Sequence, residues 1–461
     1  MKKACAVFLL LLAVLLLAQT RQNSGQESFA LAHVTLVDVA DGSTVPDVTV
    51  LITGNQIADV GKSDQVPVPA GTKVVNAEGK FLIPGLWDMH VHWYDKRSLP
   101  LFTANGVTGI RQMFGTPELL RWRQELADGS LQGPRMIVAS PILDGPRPFW
   151  PNSIAVGNEG EGRKAVLKVK KWGADFVKVY SFLPRDAYFG IAEEAKEQGI
   201  PFAGHVPWSV SAAEASDAGQ KSIEHLTGVF MACSEDEEKI RRQLPQNTPF
   251  GARSLIEASA LAKYDRRKAA ALFQRFVKNG TWQCPTLTVL RSSANREERG
   301  FRDDPRLKYM PTEVRERWER RAEARSTIRA EEEYNYAKKV YPKYFELIGA
   351  MRRAGLQFLA GTDTGNPYCF PGFSLHDELA LLVQAGLTPI DALRAATLNP
   401  SKFLGLDRSF GTIEKGKIAD LVMLDANPLD DIRNTQKIHA VVSNGLFLDR
   451  DALDRMLARA R

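Results

Sequence analysis

The stretch Phe81-Leu82-Ile83-Pro84-Gly85-Leu86-Trp87-Asp88-Met89-His90-Val91-His92 separates two textures of sequence. Before it, residues 29–84 read as short strands. Leu31–Val39 alternates, and Val48–Ile52 and Ile57–Val60 follow, bounded by turns such as Asp41-Gly42-Ser43 and Thr53-Gly54-Asn55. After it, from 85 to 406, strands alternate with helices. The expected strands are Gly106–Gln112, Arg135–Ser140, Phe176–Tyr180, Pro201–His205, Ser222–His225, Trp282–Leu290 and Gln357–Thr362. Ala187–Gln198 and Ala212–Ala218 read as helices between them. Repeated strand–helix units predict an α/β protein with a parallel sheet, most simply a closed (β/α)8 TIM barrel. An open doubly wound sheet is the alternative, weakened because no Gly-rich phosphate loop follows the first strand. Residues 407–449 return to strand texture in Gly411-Thr412-Ile413, Ala419–Leu424 and Ala440–Gly445. They are expected to join 29–84 in a small composite β-sandwich, leaving 450–461 as a C-terminal helix or tail.

The 461 residues are 44% hydrophobic and 25% charged, a balance that supports a large core and excludes a disordered, collagen-like or disulfide-stapled chain. Lys and Arg number 60 against 54 Asp and Glu, but Lys2 and Lys3 precede an apolar run, Ala4–Ala18, and belong to it. That run is shorter than the roughly 20 residues needed to span a bilayer, so 1–18 is expected to be a signal peptide. The mature chain would then be exported, periplasmic or extracellular, with no membrane span; an uncleaved anchor is the other reading. Cys233, Cys284 and Cys369 form neither a paired framework nor a metal spacing and read as packing residues.

Residues 291–345 carry the remaining positive excess, with 15 Lys and Arg against 11 Asp and Glu. Elsewhere the chain is neutral, and nothing suggests a nucleic-acid partner. Glu313/Arg317 and Glu316/Arg320 stand at helical spacing, which reads as a solvated helical excursion between two strands or as a lid. Holding neither histidine nor cysteine, the excursion is expected to be dispensable for metal binding.

Of the seven histidines, four fall on or at the ends of expected strands. His90 and His92 are two apart, so on a strand both imidazoles point to one side. His205 closes Ile200–His205, His225 closes Lys221–His225, and Asp363 closes Leu356–Asp363. Barrel strands deliver such residues to the active face, and packing gives apolar strand ends little need of imidazoles. A metal site follows. Lys178 is anomalous in Asp175-Phe176-Val177-Lys178-Val179-Tyr180, because a buried ammonium is costly without a partner. Either its depressed amine carries CO₂ as a carbamate able to bridge two cations, or it snorkels to water or to a carboxylate. His33 and His439 lie in the strand-rich ends and are assigned no chemistry. His376 opens a helix after Asp363 and reads as a cap-region residue supporting the site or as a substrate contact, while Tyr180 and Arg111 are candidates to meet a substrate carbonyl or carboxylate.

The chain resembles the metal-dependent amidohydrolases, in particular the imidazolonepropionase-like branch that includes Xaa-Pro and Xaa-Arg dipeptidases. The resemblance rests on Phe81–His92, Gly106–Arg111, Val177–Tyr180, Gly204–Pro207, Ile223–His225, Ala360–Thr364, Ala392–Ser401 and Gly411–Leu424, and runs from about residue 30 to 445. It implies that His90, His92 and Asp363 hold one divalent ion, that His205 and His225 hold a second, and that Lys178 bridges them as N6-carboxylysine. With two ions, most simply Zn²⁺, the implied reaction is hydrolysis of a small-molecule amide, dipeptide or N-acyl amino acid, with Asp363 as general base and then acid. Two departures stand out: Ser181-Phe182-Leu183-Pro184 replaces a glycine-rich turn, and Arg111 is followed by Gln112 instead of aspartate. The rival readings are a mononuclear zinc deaminase, with Lys178 a bystander, and a metal-binding relative without turnover. A homo-oligomer is compatible with any of these.

Overall fold

The computed structural model describes residues 28–244, 252–295, 299–323 and 328–459; the expected leader at 1–18 lies outside them. The N-terminal strands are β1 (Ser28–Val37), β2 (Thr44–Thr53), β3 (Gln56–Lys62), β4 (Lys73–Asn76) and β5 (Phe81–Pro84). The middle of the chain supplies β6 (Leu86–Val91), β7 (Val107–Gln112), β8 (Arg135–Val138), β9 (Leu143–Asp144), β10 (Ile154–Ala155), β11 (Val177–Val179), β12 (Phe202–Gly204), β13 (Ser222–Glu224) and β14 (Trp282–Cys284). β15 (Leu421–Leu424), β16 (Ile438–Ser443) and β17 (Leu446–Leu448) close the series.

The two ends of the chain meet in one mixed sheet of order β17-β16-β15-β5-β1-β2-β3, with β4 beside β1. The join is antiparallel, Leu82 opposite Met423 and Ile83 opposite Val422. Leu31, Val50, Ile52, Leu82, Leu421 and Val442 share its core. Hydrogen bonding thus joins the strands of both chain ends into this one sheet. Between β5 and β6 stands Gly85 alone, where a Cβ would lie 2.2 Å from the Thr108 hydroxyl. A glycine is required for that passage, and it sets the start of β6 directly on the end sheet.

The middle strands pair in parallel as β6-β7-β8 and as β10-β9-β11-β12-β13-β14. Parallel bridges link Ala139 to Phe176, Gln283 to Phe358 and Val91 to Thr364. Backbone contacts thus pass from β6 through β14 and the 356–364 segment back to β6. Helices lie between these strands. In Arg185–Glu197 the buried Ala187, Tyr188, Ile191 and Ala195 form one face, and Ala212–Asp217 opens on a Ser211/Glu214 capping box.

Two sequence expectations need correction. Trp282–Leu290 is a strand only to Cys284; the chain turns at Thr286 and continues as the helix Leu287–Asn295. Glu378 explains the change, because its carboxylate accepts from the Leu287 and Thr288 amides at 2.9 and 2.8 Å and caps that helix from a distant segment. Residues 291–345 are also more than a solvated excursion. Tyr309, Met310, Val314, Trp318, Val340 and Tyr344 are buried within the main core. Among the described residues no helix is long and apolar enough to cross a membrane.

Candidate metal centre and active site

His90 lies on β6 with no exposure, its Nδ1 2.7 Å from Glu224 Oε2. Its Nε2 is buried, with no hydrogen-bond partner among the described residues, 3.5 Å from Asp363 Oδ1. His92, just beyond β6, brings its Nε2 to 3.4 Å from the same oxygen. His225 follows β13 and its Nε2 stands 4.0 Å from Asp363 Oδ2. His205 follows β12; its ring meets that of His225 edge-on at 5.0 Å and stacks on Tyr180 at 4.0 Å. Lys178, in the middle of β11, is buried, and its Nζ has no hydrogen-bond partner among the described residues. The strand ends therefore bring the four histidines and Asp363 together. His90, His225 and Asp363 form a group whose ligand atoms all lie within 4.8 Å of one another.

Backbone conformation aims two of these side chains. His225 has φ 58° and Asp363 φ 59°, left-handed values uncommon outside glycine and concentrated at functional sites. Gly361 clears the space behind: a Cβ there would sit 2.8 Å from His90 Cβ and 2.6 Å from Cys284 Sγ. The imidazoles are oriented from the rear, His205 Nδ1 by Ser181 Oγ at 2.8 Å and His225 Nδ1 by Thr286 Oγ1 at 2.6 Å. Supports of this kind fix which ring nitrogen can face a cation.

Burial dominates the electrostatics. It holds the imidazoles of His90, His205 and His225 well below the usual histidine range, so they are neutral donors at neutral pH. It lowers the Lys178 amine to about 8 and raises the Asp363 carboxyl to about 7. Asp88 is also pushed up to about 7 by burial, while accepting from the Thr362 hydroxyl at 2.6 Å and the Thr362 amide at 3.0 Å. His90 Nε2, Asp363 Oδ1 and Lys178 Nζ are thus buried polar atoms without hydrogen-bond partners among the described residues, next to neutral imidazoles already fixed on their other nitrogen. Nitrogen and oxygen donors in that arrangement fit divalent cations.

Two expected substrate contacts are placed elsewhere. Arg111 is fully buried beneath the histidines, donating to Met89 O at 2.6 Å, Ser222 Oγ at 3.1 Å and both Glu224 oxygens at 2.9 and 3.0 Å. With every arm so engaged it cannot meet a substrate; it holds Glu224, which holds His90. His376 is also buried, its two ring nitrogens 2.9 Å from Thr435 Oγ1 and 3.0 Å from Asn105 O, so it ties a helix to its neighbours. Tyr180 stays beside the centre, its hydroxyl accepting from Trp150 Nε1 at 2.9 Å. Gln112, standing where an aspartate was expected, braces Trp93 through its backbone N and O at 3.3 and 2.5 Å.

Sequence reasoning missed Glu224, although its signal was the one that exposed Lys178: an ionisable residue in an apolar strand. It also missed Arg253, which donates to the His225 carbonyl and, at 2.9 Å, to the Tyr344 hydroxyl. Trp318 donates to Gly365 O at 3.3 Å, two residues past Asp363. The charged excursion supplies Tyr344 and Trp318, and so touches the segments that carry His225 and Asp363.

Comparison with known proteins places this geometry. The model of the amidohydrolase family matches residues 81–447. An ochratoxinase of Aspergillus niger is 24% identical over 485 residues, covering 91% of this chain and 86% of the relative. A bottromycin amidohydrolase structure matches with TM-score 0.76 and 26% identity over 95% of this chain and 92% of its own. A protein assigned as a prolidase, from Bifidobacterium longum, matches with TM-score 0.66 and 26% identity over 94% and 99%.

Proposed function

The chain belongs to the amidohydrolase family, and from that premise we propose that it is a metal-dependent hydrolase of small-molecule amides: dipeptides, N-acyl amino acids or similar C–N bonds. His90, His92 and Asp363 would hold one divalent ion and His205 and His225 a second, with Lys178 carboxylated between them. Two such ions, most simply Zn²⁺, would supply a water acidified toward neutral pH and a Lewis acid for the amide carbonyl. Asp363 takes the proton of the attacking water and returns it to the leaving nitrogen. Tyr180, stacked on His205, lines the approach. The reading also takes the parallel circuit from β6 to 364 as a closed (β/α)8 barrel, the end sheet as a separate layer, and 1–18 as an export leader.

One observation carries it: His90 Nε2, Asp363 Oδ1 and Lys178 Nζ are buried, close to neutral imidazoles, and without hydrogen-bond partners among the described residues. Such atoms are costly to bury unless something satisfies them. The test is a metal count on purified protein with turnover of a dipeptide and N-acyl amino acid panel. Two ions per chain and amide hydrolysis are expected. One ion with deamination would favour the mononuclear alternative, and no metal uptake would end the reading.

A further inference from the structure

At the amino ends of the central strands, away from the histidines, lies a cavity of about 260 Å³. Asp175 and Phe176 precede β11, Pro201 precedes β12 and Lys221 precedes β13, whereas His205 and His225 follow β12 and β13. The amino ends of parallel strand–helix units ordinarily serve stability alone, and space left unfilled among apolar side chains costs stability. The walls here are apolar. Ile137, Phe176 and Ala203 come from β8, β11 and β12 or their approaches, and Phe403, Leu404 and Leu406 from the helix Leu398–Leu404 and the residues after it. The volume falls below the range of about 300–1,000 Å³ that suits drug-sized ligands, so the space fits a smaller molecule.

Lys221 is the polar exception. Its half-buried ammonium stands 4.7 Å from the centre of the Phe403 ring and, among the described residues, has no hydrogen bond and no ion pair. The ring contact engages its charge but leaves its N–H donors unused. Burial lowers this amine from the ordinary lysine range, and the charge of Arg111, 5.0 Å from the same ring, lowers it further. The carboxylate in the lining, Asp175, is engaged by Arg123 and by the Val138 amide, both at 2.7 Å. The cavity thus presents an apolar wall and a cation without a countercharge. Phe176 and Phe403 separate it from Arg111, which lies 5.6 and 5.0 Å from their rings and holds Glu224. It shares no residue with the candidate centre.

We infer that this cavity is a binding site, distinct from the metal centre, for a small carboxylate bearing an apolar ring or chain. The carboxylate meets the Lys221 ammonium, and the apolar part packs on Phe176, Phe403 and Leu406. The inference stands on the cavity alone and holds whether or not the chain hydrolyses amides.

Calorimetric titration of benzoate into metal-loaded full-length protein tests it, with acetate as the probe lacking the ring and benzamide as the probe lacking the charge. Benzoate is expected to bind about tenfold or more tighter than either, since a buried ring and a hydrogen bond to a charged group each contribute about that factor. Lys221→Met keeps an unbranched apolar stem and removes the charge, and should weaken benzoate to the level of benzamide. Leu406→Trp places a larger side chain at a half-buried position of the wall and should abolish benzoate binding. Should Lys221→Met fail to fold, Leu406→Trp carries the test by itself. The site is overturned by the absence of saturable benzoate binding in the millimolar range or below, or by binding that both variants leave unchanged. Benzoate binding that disappears when the metal is stripped yet persists in Lys221→Met would put the carboxylate on the metal and overturn it equally.

Discussion

The candidate centre has a base and a rim, held by different means. At the base, His90, Arg111, Ser222 and Glu224 lie on β6, β7 and β13, fully buried, and the Arg111–Glu224 pair locks the imidazole from below. At the rim, His92, His225 and Asp363 stand past the strand ends. Their loops are held from outside, by Arg253 with Tyr344 and by Trp318 on Gly365 O. Strand periodicity and a buried ion pair leave the base few alternatives. The rim depends on partners far away in sequence, and its accuracy is a matter of bracing.

The largest expected effect tests the base at Lys178, on the fully buried β11. Lys178→Ala removes the proposed shared anion, so metal content and activity should fall together to background. Lys178→Arg should restore neither, because arginine stays protonated and carries no carboxyl group. Acetate or propionate at high concentration should recover part of the rate in the alanine variant. Two tightly held metals and normal turnover in Lys178→Arg would remove the lysine from the centre.

At the rim, Asp363→Asn should keep most of the metal but lower kcat by at least about 10²-fold, since the amide offers an oxygen and cannot move a proton. Near-native kcat would take the acid–base role away from it.

How legible was this division? The residues at strand ends were readable because imidazoles and a carboxylate interrupt apolar runs that packing alone would leave apolar. Val177–Val179, Phe202–Gly204 and Ser222–Glu224 all fall within the strands expected from those runs. The pairing of 81–84 with 421–424 was likewise foreshadowed by matching strand texture at the two ends. What could not be read depends on long-range partners. Glu378 turns 287–295 into a helix, and Glu224 claims Arg111 before any substrate can. The charge of 291–345 announced its exposed face and hid the buried one, because Trp318 and Tyr344 stand among charged neighbours.

Glu224→Gln sharpens the contrast at the base. It retains the size of the residue while leaving the Arg111 guanidinium buried without its countercharge, and it weakens the hold on His90. Loss of such a support costs about 10–100-fold in metal affinity. The thermal stability of the metal-free protein should drop as well, since breaking a buried pair costs about 3–5 kcal/mol. Should metal affinity stay native, His90 is positioned by its strand and not by the carboxylate.

The smallest expected effect decides whether the rim is truly braced from the excursion. Residues 291–345 supply no histidine or cysteine, and on that ground alone they should be irrelevant to metal binding. Yet the Tyr344 hydroxyl accepts from Arg253 and donates to Glu257 at 2.6 Å, and Arg253 in turn grips the His225 carbonyl. Tyr344→Phe keeps the ring packing on Phe230 and removes these contacts. Trp318→Phe keeps much of the apolar contact with Tyr368 and Phe370 and removes the bond to Gly365 O. One hydrogen bond of this kind contributes about 1 kcal/mol, which is about fivefold in an equilibrium constant. If it acts on the rim, that factor should appear in Zn²⁺ affinity by competition titration, and the thermal stabilisation gained on adding metal should shrink in both variants. A purely structural role lowers the stability of the metal-free and metal-loaded proteins equally and leaves affinity untouched. That result in both variants would show that strand ends alone set the rim, and the contrast between the two halves of the centre would disappear.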